Sequence, residues 1–171
     1  METKRPPMTF QFETKPNILI VEARHYDDIA DLQLKGARTV LDRAGVDHDT
    51  VTVPGALEIP AAILYAIKSL DFDAVRRRCD GYVALGCIIK GGTNHNELVA
   101  AECFRGLQDN MLRYSLAVGN GVITCNNREQ ALERADPARH DRGGAAAEAC
   151  LRMIELKHQF RLSPKRRWVA R

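Results

Sequence analysis

The sequence predicts an α/β three-layer sandwich on a four-stranded parallel sheet. Three observations lead there. Four short apolar runs recur along the chain, and segments of helical periodicity separate them. One run, GYVALGCII (Gly81–Ile89), is apolar nearly throughout, as a parallel strand covered on both faces must be. Strands that alternate with helices imply right-handed βαβ units, with helices on both faces of the sheet.

Each element has its own local reason. NILIVEA (Asn17–Ala23) reads as the first strand. Asp27 or Asp28 is placed to cap the helix after it, and Gly45 to end that helix. DTVTVPG (residues 49–55) reads as the second strand, stopped by Pro54 and Gly55. Pro60 fits the first turn of a helix running to about Ser69. After Gly81–Ile89 a helix is expected over His95–Tyr114, with Val99, Cys103, Leu107 and Met111 on one stripe. VGNGVITC (Val118–Cys125) is the fourth strand. Asn127 and Gln130 resemble a capping box for a short helix to about Arg134. A last helix covers about residues 143–160, with Ala146, Ala149, Cys150, Met153 and Ile154 facing inward. The arrangement is flavodoxin-like. It divides into an N-terminal arm (residues 1–16), one domain (17–160) and a basic tail (161–171).

The first helix carries two apolar stripes. Ile29, Leu32, Gly36 and Val40 form one, and Leu34, Ala37, Leu41 and Ala44 the other, about 115° round. One stripe covers the sheet. The other is expected to meet a neighbouring subunit, and the arm before the first strand is a candidate to extend a neighbour's sheet.

Composition excludes several classes. The 171 residues suffice for a core without staples, and 45% hydrophobic with 27% charged residues is ordinary for a globular domain. The net charge of +3 comes from the tail, where Arg161, Lys165, Arg166, Arg167 and Arg171 meet no acid. The body is left slightly acidic, so a nucleic-acid partner is not expected. No apolar run is long enough to span a bilayer, and the N-terminus lacks the apolar core of a secretory signal. Five widely spaced cysteines without a CxxC point to reduced thiols in the cytoplasm and to no metal site.

The chemistry is expected beyond the carboxyl ends of the strands. GCIIKGGTNHNEL is richer there than a turn requires. Gly91 and Gly92 allow a close backbone approach to a ligand. Thr93 and Asn94 present a hydroxyl, an amide and their N–H groups, and Asn94 with Glu97 reads as the helix N-cap. A glycine turn on a helix N-terminus suits phosphate or carboxylate. His95, in the first turn, is placed to move protons beside that anion. Glu58, between Pro54-Gly55 and Pro60, stands at the mouth of the same edge. Arg134 and Arg142 are candidate phosphate partners.

Taken together, VPGALEIPAA, ALGCIIKGGTNH and EQALERA, in this order and spacing, resemble the lumazine synthases of riboflavin synthesis. The resemblance runs from about Asn17 to Phe160. It implies condensation of 5-amino-6-(D-ribitylamino)uracil with 3,4-dihydroxy-2-butanone 4-phosphate to 6,7-dimethyl-8-ribityllumazine, phosphate and water, with no cofactor. Carried over, His95 is the acid–base histidine. Gly91, Gly92 and Thr93 hold the phosphate and Arg134 pairs with it. Ala56, Leu57 and Glu58 meet the ribityl side. His25 stands where a stacking aromatic is usual, with Tyr26 next to it. Asn120 stands near a position where a neighbour supplies an aromatic, and Arg142 where a lysine is common. Lys90 replaces a common arginine. The family builds its sites between subunits of a ring of five. The resemblance implies His95, Arg134 and the phosphate loop on one subunit, and His25 and Glu58 on the next. A free pentamer is favoured over a sixty-subunit shell. His25 and Asn120 motivate an alternative, a weakly or non-catalytic lumazine- or flavin-binding homologue.

Overall fold

The computed structural model describes residues 9–72 and 78–162. Four strands, β1 (Asn17–Ala23), β2 (Asp47–Val53), β3 (Gly81–Ile89) and β4 (Val118–Cys125), form one sheet in the order β2-β1-β3-β4. Every pairing is parallel, and Ile18 of β1 stands opposite both His48 of β2 and Gly81 of β3. Five helices connect or follow them: α1 (Asp27–Arg43), α2 (Ile59–Lys68), α3 (His95–Tyr114), α4 (Arg128–Ala135) and α5 (Arg142–Gln159). The chain is thus the flavodoxin-like three-layer sandwich that the alternation predicts.

Alternation along the strands sorts the core into two layers. Ile18, Ile20, Val83 and Leu85 point to one face, where α1 and α5 supply Val40, Leu41, Leu151 and Ile154. Leu19, Val21, Tyr82 and Ala84 point to the other, against Ile59 and Ile63 of α2 and Cys103 and Leu107 of α3. Ile29, Ile123, Cys125, Ala131 and Ala135 form a smaller cluster that seats α4.

Both stripes of α1 are used within the chain. Ala37 and Leu41, expected to face another subunit, are fully buried, and Leu34 and Ala44 pack on the same cluster. The cause is the tight seat of α5. A Cβ on Gly143 would stand 2.0 Å from the Gln33 carbonyl oxygen, so the two helices approach to backbone contact. A helix wedged between a sheet and another helix needs a wide apolar face. On α5 itself Ala149 is exposed, and Ala147 and Leu151 are the inward residues beside Ala146, Cys150 and Ile154.

The caps also differ in part from expectation. Asp27 and Asp28 lie inside the first turn of α1, and Tyr26 is the cap residue, without a side-chain hydrogen bond. Gly45 follows the helix at φ +65°, the left-handed turn that favours glycine. Asn94 precedes α3 without a side-chain cap. Asn127 does cap α4, accepting from Gln130 N at 2.9 Å, while Gln130 Oε1 takes the Asn126 N–H. β2 begins two residues earlier than expected and ends at Val53, before Pro54-Gly55.

The described part of the arm lies on its own chain. Phe10 and Phe12 stack with centroids 6.2 Å apart, and Phe12 meets the His158 ring edge-on. Residues 1–8 of the arm, and the basic tail from residue 163, lie outside the described residues.

Candidate active site at the strand ends

The strand order reverses between β1 and β3, since α1 leads from β1 outward to β2 and α2 leads back across to β3. A crevice opens at such a point, beyond the carboxyl ends of the two central strands. His25 and Tyr26 follow β1 there, and Lys90 to His95 follow β3.

A cleft of about 380 Å³ fills this position. His25, Tyr26, Ala56, Leu57, Glu58, Gly91, Thr93 and His95 line it, with Cys87, Ile88 and Val99 in its floor and wall. The Arg24 amide donates to Val53 O at 3.3 Å and so joins the ends of β1 and β2. That bond brings the His25 turn beside the Ala56–Glu58 turn. His25 and Tyr26 meet edge to face, with centroids 4.7 Å apart and planes at 87°. Edge to face is the arrangement that aromatic quadrupoles prefer, and both residues line the cleft.

The glycine pair has no role inside the chain. Neither Gly91 nor Gly92 takes a positive φ, and a Cβ on either would meet nothing within 4 Å. The space over the loop is open, so a close approach there is available to a ligand. Thr93 Oγ1 accepts the His95 N–H at 3.4 Å, which turns the threonine hydroxyl toward the start of α3.

A second cleft, of about 530 Å³, lies across the same loop. Lys90, Thr124, Asn126, Gln130 and Arg134 line it, and Asn96 lines both clefts. Lys90 N donates to Cys125 O at 2.8 Å, which ties the loop to the end of β4. Arg134 therefore stands across the loop from the cleft of His95, Gly91 and Thr93. Asn120 and Arg142 line neither cleft. Asn120 is exposed on β4, where its Oδ1 accepts the Val122 N–H at 3.0 Å, and Arg142 opens α5.

The division expected from the resemblance is corrected at one point. His25 and Glu58 were expected to reach His95 from a neighbouring subunit, yet one chain brings all three to one cleft. Sequence reasoning also missed Cys87 and Asn96. Cys87 sits on a strand that reads as core throughout, and burial pushes its thiol up to about 12, with Cys125 beside it adding to the shift. Asn96 had a signal, a polar residue directly after the histidine in a first helical turn.

The profile of the 6,7-dimethyl-8-ribityllumazine synthase family matches residues 15–158, which include every element lining the two clefts. The chain belongs to this family. Relatives named 6,7-dimethyl-8-ribityllumazine synthase include that of Paramagnetospirillum magneticum, 49% identical over 85% of this chain and 97% of the relative. That of Bartonella tribocorum is 50% identical over 90% and 97%, and synthase 1 of Rhizobium meliloti is 53% identical over 84% and 93%. Members of the family are transferases of riboflavin biosynthesis, and this chain is such an enzyme. Among the described residues no group of three or more His, Cys, Asp or Glu is placed to hold a metal ion, and no helix is long and apolar enough to cross a membrane.

Proposed function

We propose that the chain condenses 5-amino-6-(D-ribitylamino)uracil with 3,4-dihydroxy-2-butanone 4-phosphate. The products are 6,7-dimethyl-8-ribityllumazine, phosphate and two molecules of water. The observation that carries this reading is the cleft at the switch point, where a proton-transfer group, an open glycine loop and an aromatic pair converge in a member of this family.

In this reading the phosphate lies on the loop at Gly91, Gly92 and Thr93. The open space over both glycines supports that placement. Arg134 and Lys90, in the cleft across the loop, supply positive charge to the same anion. The pyrimidine lies against His25 and Tyr26, and Glu58 accepts hydroxyls of the ribityl chain, with Ala56 and Leu57 shaping that end. His95 takes and returns protons as the imine forms, phosphate leaves and the ring closes. Most of the acceleration then comes from placing two substrates in one orientation.

The chain works as a homo-oligomer, with a ring of five as the assembly. Leu57, in the turn before α2, and Leu98 and Leu112 of α3 are exposed at 46%, 60% and 72%, apolar surface that a neighbouring subunit would cover. Asn120 and Arg142, outside the chain's own clefts, are the residues that a neighbour would bring. The five cysteines are all free thiols, in keeping with the cytoplasm.

Steady-state assay with both substrates tests the activity, read from lumazine fluorescence. Turnover is expected, and its absence at saturating substrate would leave the chain a binding homologue. Sedimentation tests the assembly, and a stable monomer at micromolar concentration would overturn the ring.

A further inference from the structure

Arg128 opens α4 against the local rule. The first turn of a helix carries the positive end of its dipole, which favours an acid there and disfavours a cation. A residue that breaks a local rule points to a use elsewhere in the fold. Arg128 Nη2 donates to Asp28 Oδ2 at 2.6 Å, which ties the start of α4 to the first turn of α1, 100 residues away in sequence. The same guanidinium lies over the Tyr26 ring, 6.0 Å from its centroid.

Tyr26 is the residue that these contacts serve. It lines the main cleft, meets His25 edge to face, and packs on the cluster that seats α4. Arg128 itself lines neither cleft, so any effect on a ligand passes through Tyr26. The contacts form a closed circuit, because Asp28 holds the guanidinium and the guanidinium covers a ring two residues before Asp28. Each contact alone is weak, a half-exposed ion pair and a cation at the outer range of attraction to a ring. One guanidinium serves both, so its side chain is ordered once for two contacts. We propose that Arg128 is a positioning residue for the pyrimidine, fixing the Tyr26 ring against which the pyrimidine lies. The assignment rests on the enzyme reading and adds a residue to it.

The test compares Arg128→Met, which keeps an apolar stem without the charge, with Arg128→Lys. KM is measured for each substrate, together with the dissociation constant of the lumazine product and the melting temperature. Arg128→Met is expected to raise KM for the pyrimidine and the product dissociation constant roughly two- to fivefold. KM for the ketone phosphate is expected to stay within about 1.5-fold, and melting temperature to change little, as for other exposed ion pairs. Arg128→Lys is expected to recover part of the loss, since an ammonium keeps a charge for both Asp28 and the ring. In a Tyr26→Leu background, Arg128→Met is expected to add nothing. Persistence of its effect in that background would overturn the assignment, and so would a lysine variant no better than the methionine one. A rise confined to the ketone phosphate would show that Arg128 serves α4 and Arg134 instead. A fall in melting temperature with both KM values unchanged would make it a stability residue only. Failure of the enzyme reading is seen separately, as no lumazine formed by the unaltered protein. Product affinity still decides the role of Arg128 in that case, and an unaltered protein that binds no lumazine would overturn both.

Discussion

Arg24 Nη2 donates to Asp31 Oδ1 at 2.6 Å, and this bond closes a network around the turn that carries His25. The same guanidinium reaches Asp27 Oδ1 at 3.0 Å and Glu22 Oε2 at 3.3 Å. Glu22 is only 4% exposed and also accepts from Thr52 Oγ1 at 3.0 Å. β1, β2 and the first two turns of α1 are thereby held together at the mouth of the cleft. The bond to Asp31, followed by that to Asp27, holds the guanidinium above its ordinary range, so it stays charged at any working pH.

Arg24→Met is expected to act through position, since Arg24 does not line the cleft. It leaves the buried Glu22 carboxylate short of its cation, at a cost of about 1–3 kcal/mol of stability. The looser His25 turn is expected to raise KM for the pyrimidine several-fold more than KM for the ketone phosphate. Asp31→Asn, at an exposed position, is expected to shift the same ratio by less. If unfolding temperature falls and the KM ratio stays constant, the network serves stability alone.

His95→Ala is expected to lower kcat roughly ten- to a hundredfold. General acid–base groups contribute about 10²–10⁴-fold, and a spontaneous background condensation blunts the loss. Single-turnover formation of lumazine measures it. An unchanged rate would remove His95 from proton transfer.

Arg134→Ala is expected to raise KM for the ketone phosphate far more than for the pyrimidine. A charge-assisted bond to phosphate contributes about 1.5–3 kcal/mol. Inorganic phosphate as a competitive inhibitor gives a second reading, and its inhibition constant is expected to rise in parallel. Equal effects on both substrates would make Arg134 a structural residue.

His25→Phe is expected to tighten pyrimidine or product binding, within the ~0.5–1.5 kcal/mol of an aromatic pair. The gain is expected to be smaller in a Tyr26→Ala background, because the edge-to-face contact with Tyr26 orients the ring at position 25. Titration of lumazine fluorescence reads both. Weaker binding would show that the imidazole makes a hydrogen bond that phenyl cannot replace.

Cys87 and Cys150 are expected to resist alkylation in the native state at pH 8. Burial pushes each thiol from 9.0 up to about 12, so little thiolate is present. Raised thiol values also set a sign for stability. The contribution is complete below about pH 9 and is lost as the pH rises from there through about 12. Melting temperature from pH 8 to 11, with mass spectrometry of labelled protein, checks both points. Rapid labelling of either thiol at pH 8 would show that its cover opens readily.

The sequence by itself determined the order of elements, because each has a local cause. β1, β3, α3 and β4 fall on the residues expected, since apolar runs and helical periodicity do not depend on what lies opposite. That His95, Thr93 and Glu58 share one edge of the sheet was legible because strand-end loops in a parallel sheet converge whatever the packing. Only the tertiary structure decided which faces meet. Leu34, Ala37, Leu41 and Ala44 read as a second surface until α5, seated within backbone contact of α1, accounts for them. Only it showed that one chain holds His25 and Glu58 beside His95, because the bond from Arg24 N to Val53 O joins the ends of two strands far apart in sequence, in the way a register does, not a motif.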